Sequence, residues 1–181
     1  PELALRREAD GSIYVAGLPV GAGGDDSGGL QWLLDQGQVL IHDARVSWVD
    51  QLRQAPELKL QQVEFRLDRG LGQHRFALRA QPPADLASTL DLRGELWHFD
   101  AAAPAASSGR RYVALERADL GGWEHWVDYP LPLEGTGAVH AWLASGSKRR
   151  LGRSTADSEL RWSLDADVAL NAVRTRLAAD L

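Results

Sequence analysis

Five histidines, at positions 42, 74, 98, 125 and 140, are the first residues to test for chemistry. Metal binding needs two ligands on a shared face at short reach, and no HxH or HExxH spacing supplies them. His42, His74 and His140 are therefore expected at strand surfaces or core edges. Gly21-Ala22-Gly23-Gly24 has the glycine content of a phosphate loop, but it runs into Asp25-Asp26 instead of a GK[ST] ending. Two carboxylates repel phosphate, so a mobile loop is the plainer reading and a weak calcium site the sharper one. Asp165 and Asp167 share a strand face, as a glycosidase pair would, but the same alternation builds any solvated face. There is no GxSxG elbow and no cysteine, which removes thiolate nucleophiles, thiolate zinc sites and disulfides. The chain is expected to be no enzyme, with no catalytic residues, no metal and no cofactor. Lys148, Arg149, Arg150 and Arg153 form the basic cluster. Its default reading is a solvated hairpin tip, and its sharper one is contact with anionic lipid headgroups.

The totals narrow the partners. The 181 residues carry 20 basic and 25 acidic side chains, well mixed, for a net charge of −5. No polyanion-binding surface is advertised, and nucleic acid is not expected as a partner. No apolar run approaches the roughly 20 residues that span a bilayer. The chain starts at Pro1 and contains no methionine, which reads as a piece of a longer protein.

The elements that must position any site are strands. Leu58, Leu60, Val63, Phe65 and Leu67 are separated by polar residues, except that Gln61 and Gln62 make a doubled polar step. Alternation marks a strand with one dry face, and the doubled step demands a bulge, bend or tight turn. Looser copies run Val39, Ile41, Ala44, Val46, Trp48 and Val168, Leu170, Val173, Thr175, Leu177. Further strands are expected at Ser12 to Val20, His74 to Ala80, Leu90 to Leu96, Arg111 to Arg117, Ala138 to Leu143, which is apolar on both sides, and Ser158 to Leu164. Pro82-Pro83 breaks one run, and Asp85 to Ala87 suits a single helical turn. Short helices are expected near 30–36, closed by Gly37, and near 119–127, with Asp119 as N-cap and Trp123 and Trp126 as core staples. The predicted fold class is mainly β with a few short helices: a bent antiparallel sheet, or repeating β-groove unit. Residues 1–100 make a first β unit, the Ala/Pro/Ser stretch 101–110 a loop, and 111–181 a second unit.

Four phrases occurring in order carry a family resemblance: GLQWLLDQGQVLIHDARVSWVD (Gly29 to Asp50), APELKLQQVEFRLDR (Ala55 to Arg69), HRFALRAQPPADLASTLDLRGEL (His74 to Leu96) and ERADLGGWEHWVDYP (Glu116 to Pro130). They resemble the central region of YhdP-type members of the AsmA-like proteins of Gram-negative bacteria. The resemblance covers most of the chain from Ala9 onward. It implies an elongated periplasmic body of repeated β-sheet units, similar in architecture to the bridge-like lipid transfer proteins of eukaryotes. It implies an inner-membrane anchor outside this sequence, and a groove that passes phospholipid between inner and outer membrane. The family offers no established catalytic residues to carry over.

Three functions follow as expectations. The first is a segment of a lipid-conducting groove, faced by Val39, Ile41, Val46, Trp48, Leu58, Leu60, Val63, Phe65, Leu67, Leu90 and Leu92. Phospholipid is then the partner, with envelope proteins unnamed. The second is a structural or adaptor module of the cell envelope, its apolar face closed by the two short helices. The third, a carbohydrate-active β-protein, rests only on Trp and Asp content.

Overall fold

A computed structural model describes residues 1–19, 36–97, 108–127, 133–147 and 160–175. Their strands are β1 (Glu2–Arg7), β2 (Ile13–Val15), β3 (Leu18–Pro19), β4 (Gln38–Asp50), β5 (Leu58–Gly70) and β6 (Gln73–Gln81). They continue with β7 (Thr89–Trp97), β8 (Ser108–Asp119), β9 (Leu133–Ser147) and β10 (Leu160–Thr175). One helical turn, α1 (Leu120–Trp123), follows β8. All ten strands join one sheet in the order β10-β9-β8-β7-β6-β5-β4-β1-β2-β3, which does not close on itself. The fold is mainly β, as the alternating sequence requires. Strands on both sides of residues 98–107 belong to that sheet, with β7 pairing β8.

Two details depart from the sequence reading. Glu2–Arg7, which carries only Leu3, Ala4 and Leu5 as an apolar signal, is a strand, and it lies parallel to β4. The sheet is therefore mixed and not wholly antiparallel. The pairing is anchored at its far end, where Arg7 Nε donates to Asp50 Oδ1 at 2.9 Å. Second, the expected strand from Ser12 to Val20 is a hairpin: Val15 pairs Leu18 across Ala16-Gly17. Both loop residues have positive φ, 51° and 82°, the signature of a two-residue turn whose twist suits adjoining strands.

The doubled polar steps are β-bulges. Asp43, Gln62 and Arg117 stand at φ 46°, 49° and 50°, in the left-handed region. Register slips at each: between Ile41 and Ala44 on β4, between Gln61 and Glu64 on β5, and between Leu115 and Ala118 on β8. A fourth slip falls between Asn171 and Arg174 of β10, at the doubled step of the third copy. An extra residue in each strand restores the apolar phase after it would have inverted. Glu64 holds the first bulge together, with Oε1 accepting from Asp43 N at 3.0 Å and Oε2 lying 2.7 Å from His42 Nδ1. The bond from the Asp43 amide, then that from His42, holds the Glu64 carboxyl below its usual range.

The main core lies where β6 and β7 stop short. Nine residues each, they end near the line of bulges, while β4, β5, β8, β9 and β10 run on past it. Into the space fold residues 82–88 and 120–127. Ala44, Leu58, Leu60, Val63, Ala80, Leu86, Ala87, Leu115, Ala118, Leu120 and Trp123 make one buried cluster. Helix α1 is four residues with two central glycines, so burial of Leu120 and Trp123 holds it and not propensity. Asp119 is its N-cap in position only, with no side-chain capping bond. Gly122 is required by packing, since a Cβ there would stand 2.7 Å from Leu86 Cδ2.

Candidate functional site

The register places all eleven predicted groove residues on one face of the sheet. On β4 and β5, Val39, Ile41, Ala44, Val46 and Trp48 pair with Leu67, Phe65, Val63, Leu60 and Leu58. The face continues across the sheet as bands perpendicular to the strands. One band runs Ala44, Val63, Ala80, Leu90, Leu115, Val139, with Ala80 falling beside Val63 at the β5 bulge. The next runs Ile41, Phe65, Leu78, Leu92, Val113, Ala141, all half-buried. A third runs Val39, Leu67, Phe76, Gly94, Arg111, Leu143.

These bands meet different fates. Leu58, Leu60 and Val63 are buried in the core cluster, and Ile41, Val46, Trp48 and Leu90 pack against it. They face the plug made by residues 82–88 and 120–127. Trp123, 5 % exposed, donates from Nε1 to the Leu86 carbonyl at 3.0 Å. Trp126 reaches across the plug, its Nε1 donating to the Pro56 carbonyl at 3.2 Å, and its ring meets Trp123 edge-on with centroids 5.9 Å apart. Val39, Phe65, Leu67 and Leu92 lie outside that cluster; Leu67 is buried and the other three are half-exposed. The helix expected near 30–36 lies almost wholly outside the described residues, as do Lys148, Arg149, Arg150 and Arg153.

Several residues of the same face were not predicted as site residues. Phe76, Leu78, Val113, Ala141 and Leu143 belong to the outer two bands. The rhythm Val113, Leu115, Ala118 on β8, running on to Leu120 of α1, with Glu116-Arg117 as its doubled step, repeats that of β5. Arg111, two residues before Val113, hides it by setting a cation on the apolar face. Its guanidinium is turned aside, with Nη1 donating to Ser145 Oγ at 3.3 Å. Gly94 leaves a gap that the Phe76 ring fills: a Cβ at Gly94 would lie 2.5 Å from that ring.

No group of three metal-ligating side chains occurs among the described residues. His42 and His140 sit instead on the polar face, paired with Glu64 and with Glu116 at 2.9 Å. That face is laced with exposed ion pairs such as Arg93–Asp91, Arg66–Asp68 and Arg75–Glu95. Such pairs are worth roughly 0–1 kcal/mol each and serve mainly to keep the face wet. Asp50 differs, at 2 % exposed. Burial pushes its carboxyl up, but the Arg7 guanidinium and the Arg53 amide outweigh this and hold it below its ordinary value. What the apolar face can do is shelter hydrocarbon.

Among the described residues, no helix is long and apolar enough to cross a membrane. Neither the curated proteins nor the solved structures yield a match to the chain. The model of the YhdP protein family, by contrast, matches residues 1–179, nearly the whole sequence. Together with the open, bulged sheet, that match shows that the chain belongs to the YhdP family, AsmA-like envelope proteins of Gram-negative bacteria.

Proposed function

We propose that this chain is a segment of a periplasmic groove, anchored at the inner membrane elsewhere in the protein, that carries phospholipid between the two membranes. The observation that supports it best is the half-buried band Ile41, Phe65, Leu78, Leu92, Val113, Ala141, in which Ile41 and Leu78 also touch the margin of the core cluster while Phe65, Leu92, Val113 and Ala141 lie outside it, flanked by Val39, Leu67, Phe76 and Leu143. It crosses six strands, about 24 Å at the usual inter-strand spacing. One leaflet of hydrocarbon is about 15 Å deep, half of a bilayer core, so the band outruns a single acyl chain. Each methylene sheltered from water contributes about 0.8 kcal/mol, so even partial cover holds a two-chain lipid without a polar pocket. Headgroups remain in water at the margin, and the reading involves no catalytic step.

The plug favours a second reading, an adaptor module with a closed core. It accounts for Leu58, Leu60 and Val63 but gives the outer bands no role. The full-length protein separates the two. With Phe65→Asp or Leu92→Asp, most of the phospholipid that co-purifies with the wild-type protein should be lost, measured by extraction and mass spectrometry, with circular dichroism unchanged. Lipid content equal to wild type in both variants would favour the adaptor.

A further inference from the structure

The polar face carries a trough of about 700 Å³ across β6–β10. Most of its lining residues fall in two neighbouring rows of that face. One row runs Arg93, Tyr112, Trp142, Asp165, direct neighbours on four successive strands. The other runs Glu95, Arg110, Ala144, Ser163, where small side chains beside the aromatic pair give the trough its depth.

Three features of this row are unusual for a merely wet surface. Trp142 is 45 % exposed in a sheet whose other face offers apolar company. It stands beside Tyr112 with ring centroids 5.2 Å apart and planes tilted by 45°, so the two rings form one angled apolar surface. His140 adds a third ring, 6.3 Å from Tyr112 and 6.4 Å from Trp142, and is fixed there by Glu116. A guanidinium then closes the platform at the β7 end and a carboxylate at the β10 end, about 14 Å apart over three inter-strand spacings.

A ligand suited to this row must be flat and weakly apolar on one face, rich in hydroxyls at its edges, and elongated. Acyl chains fit poorly: Arg93 is paired with Asp91, and Glu95 with Arg75 and Arg110, and hydrocarbon would strip water from these charges and from Asp165 without hydrogen-bonding to any of them. Nucleic acid fits poorly, because Glu95 and Asp165 share the trough with the cations. A sugar ring meets each requirement: its C–H face stacks on Trp or Tyr, and its edge hydroxyls bond to planar carboxylate and guanidinium groups. We propose that the trough is a binding site for a short oligosaccharide, with Trp142 and Tyr112 as the stacking platform and Asp165 and Arg93 as the hydroxyl-bonding ends. The site lies on the opposite face from the proposed lipid track and does not depend on it.

The test uses the full-length protein with chitotetraose and maltotetraose as probes, read by saturation-transfer NMR and by titration calorimetry. At least one probe should bind, and Trp142→Ala should weaken it by about tenfold or more, the loss of one good stacking contact. Tyr112→Leu, which keeps apolar bulk while removing the ring, should weaken it as well; unchanged circular dichroism in this variant separates lost stacking from lost fold. Failure of both probes to bind overturns the proposal. So does binding that neither substitution changes.

Discussion

The two ends of the apolar face are built from the same strands and the same alternation, yet one is closed and the other is half-exposed. On β5, Leu58, Leu60 and Val63 lie under the plug, while Phe65, two residues further on, does not belong to the buried cluster. The cause is the length of other strands. β6 and β7 are nine residues each, so the sheet between β5 and β8 ends early and the connection 82–88 folds into the space. The peptide groups thus left without ladder partners are met by Asp119 N to the Leu86 carbonyl and Ser88 N to the Glu116 carbonyl, both 2.8 Å. A one-sided strand is therefore not in itself a groove or a core. What decides is whether its neighbours continue beside it.

The comparison is broken most severely by placing the same charge on either side of the boundary. Val63→Asp puts a carboxylate at a site 1 % exposed, beneath the plug, and should cost about 4 kcal/mol or more. Phe65→Asp, on the same strand and face, should cost about 1–2 kcal/mol. Hydrogen exchange of β5 in the full-length protein reads both, and equal loss of protection would erase the distinction. Trp123→Ala comes next: it empties the plug and should cost about 3–5 kcal/mol, followed as a lowered thermal midpoint. Trp126→Phe keeps an aromatic ring while removing the bond to Pro56 and part of the indole's packing, for about 1–2 kcal/mol by the same measurement. The smallest effect concerns pH. The Asp50 carboxyl is held below its ordinary value, so its contribution is complete above the normal aspartate range and is lost as pH falls through the lowered value. Asp50→Asn should flatten the acid limb of a urea-midpoint profile below about pH 4, leaving the neutral region less stable but level.

Much of this was legible in the residues. The doubled step at Gln61-Gln62 predicted phase correction and coincides with a slip in register, and the two looser copies of the rhythm slip at the matching places, between Ile41 and Ala44 and between Asn171 and Arg174. The two-residue period of a strand makes that inference strong, because an uncorrected step would turn every later apolar side chain outward. The strand β8 was expected, but its bulge was missed because Arg111 occupies one of its apolar-face positions, and β1 was missed because three apolar residues carry too little periodicity. The parallel pairing of β1 depends on Arg7 meeting Asp50, a contact between residues 43 apart that no local pattern encodes. The division of the dry face was likewise hidden. Pro82-Pro83 announced a break, but that the break becomes a plug follows from Trp123 and Leu86 meeting across the end of a short hairpin.

The central claim is that hydrocarbon occupies the outer bands and not the plugged end or the polar face. It is tested most directly by placing a benzophenone amino acid at Phe65, at Trp126 or at Tyr112 of the full-length protein in cells, followed by irradiation and mass spectrometry of lipid adducts. The account predicts phospholipid adducts at position 65 and none at 126 or 112. No adduct at 65, or adducts of equal yield at all three positions, would contradict it.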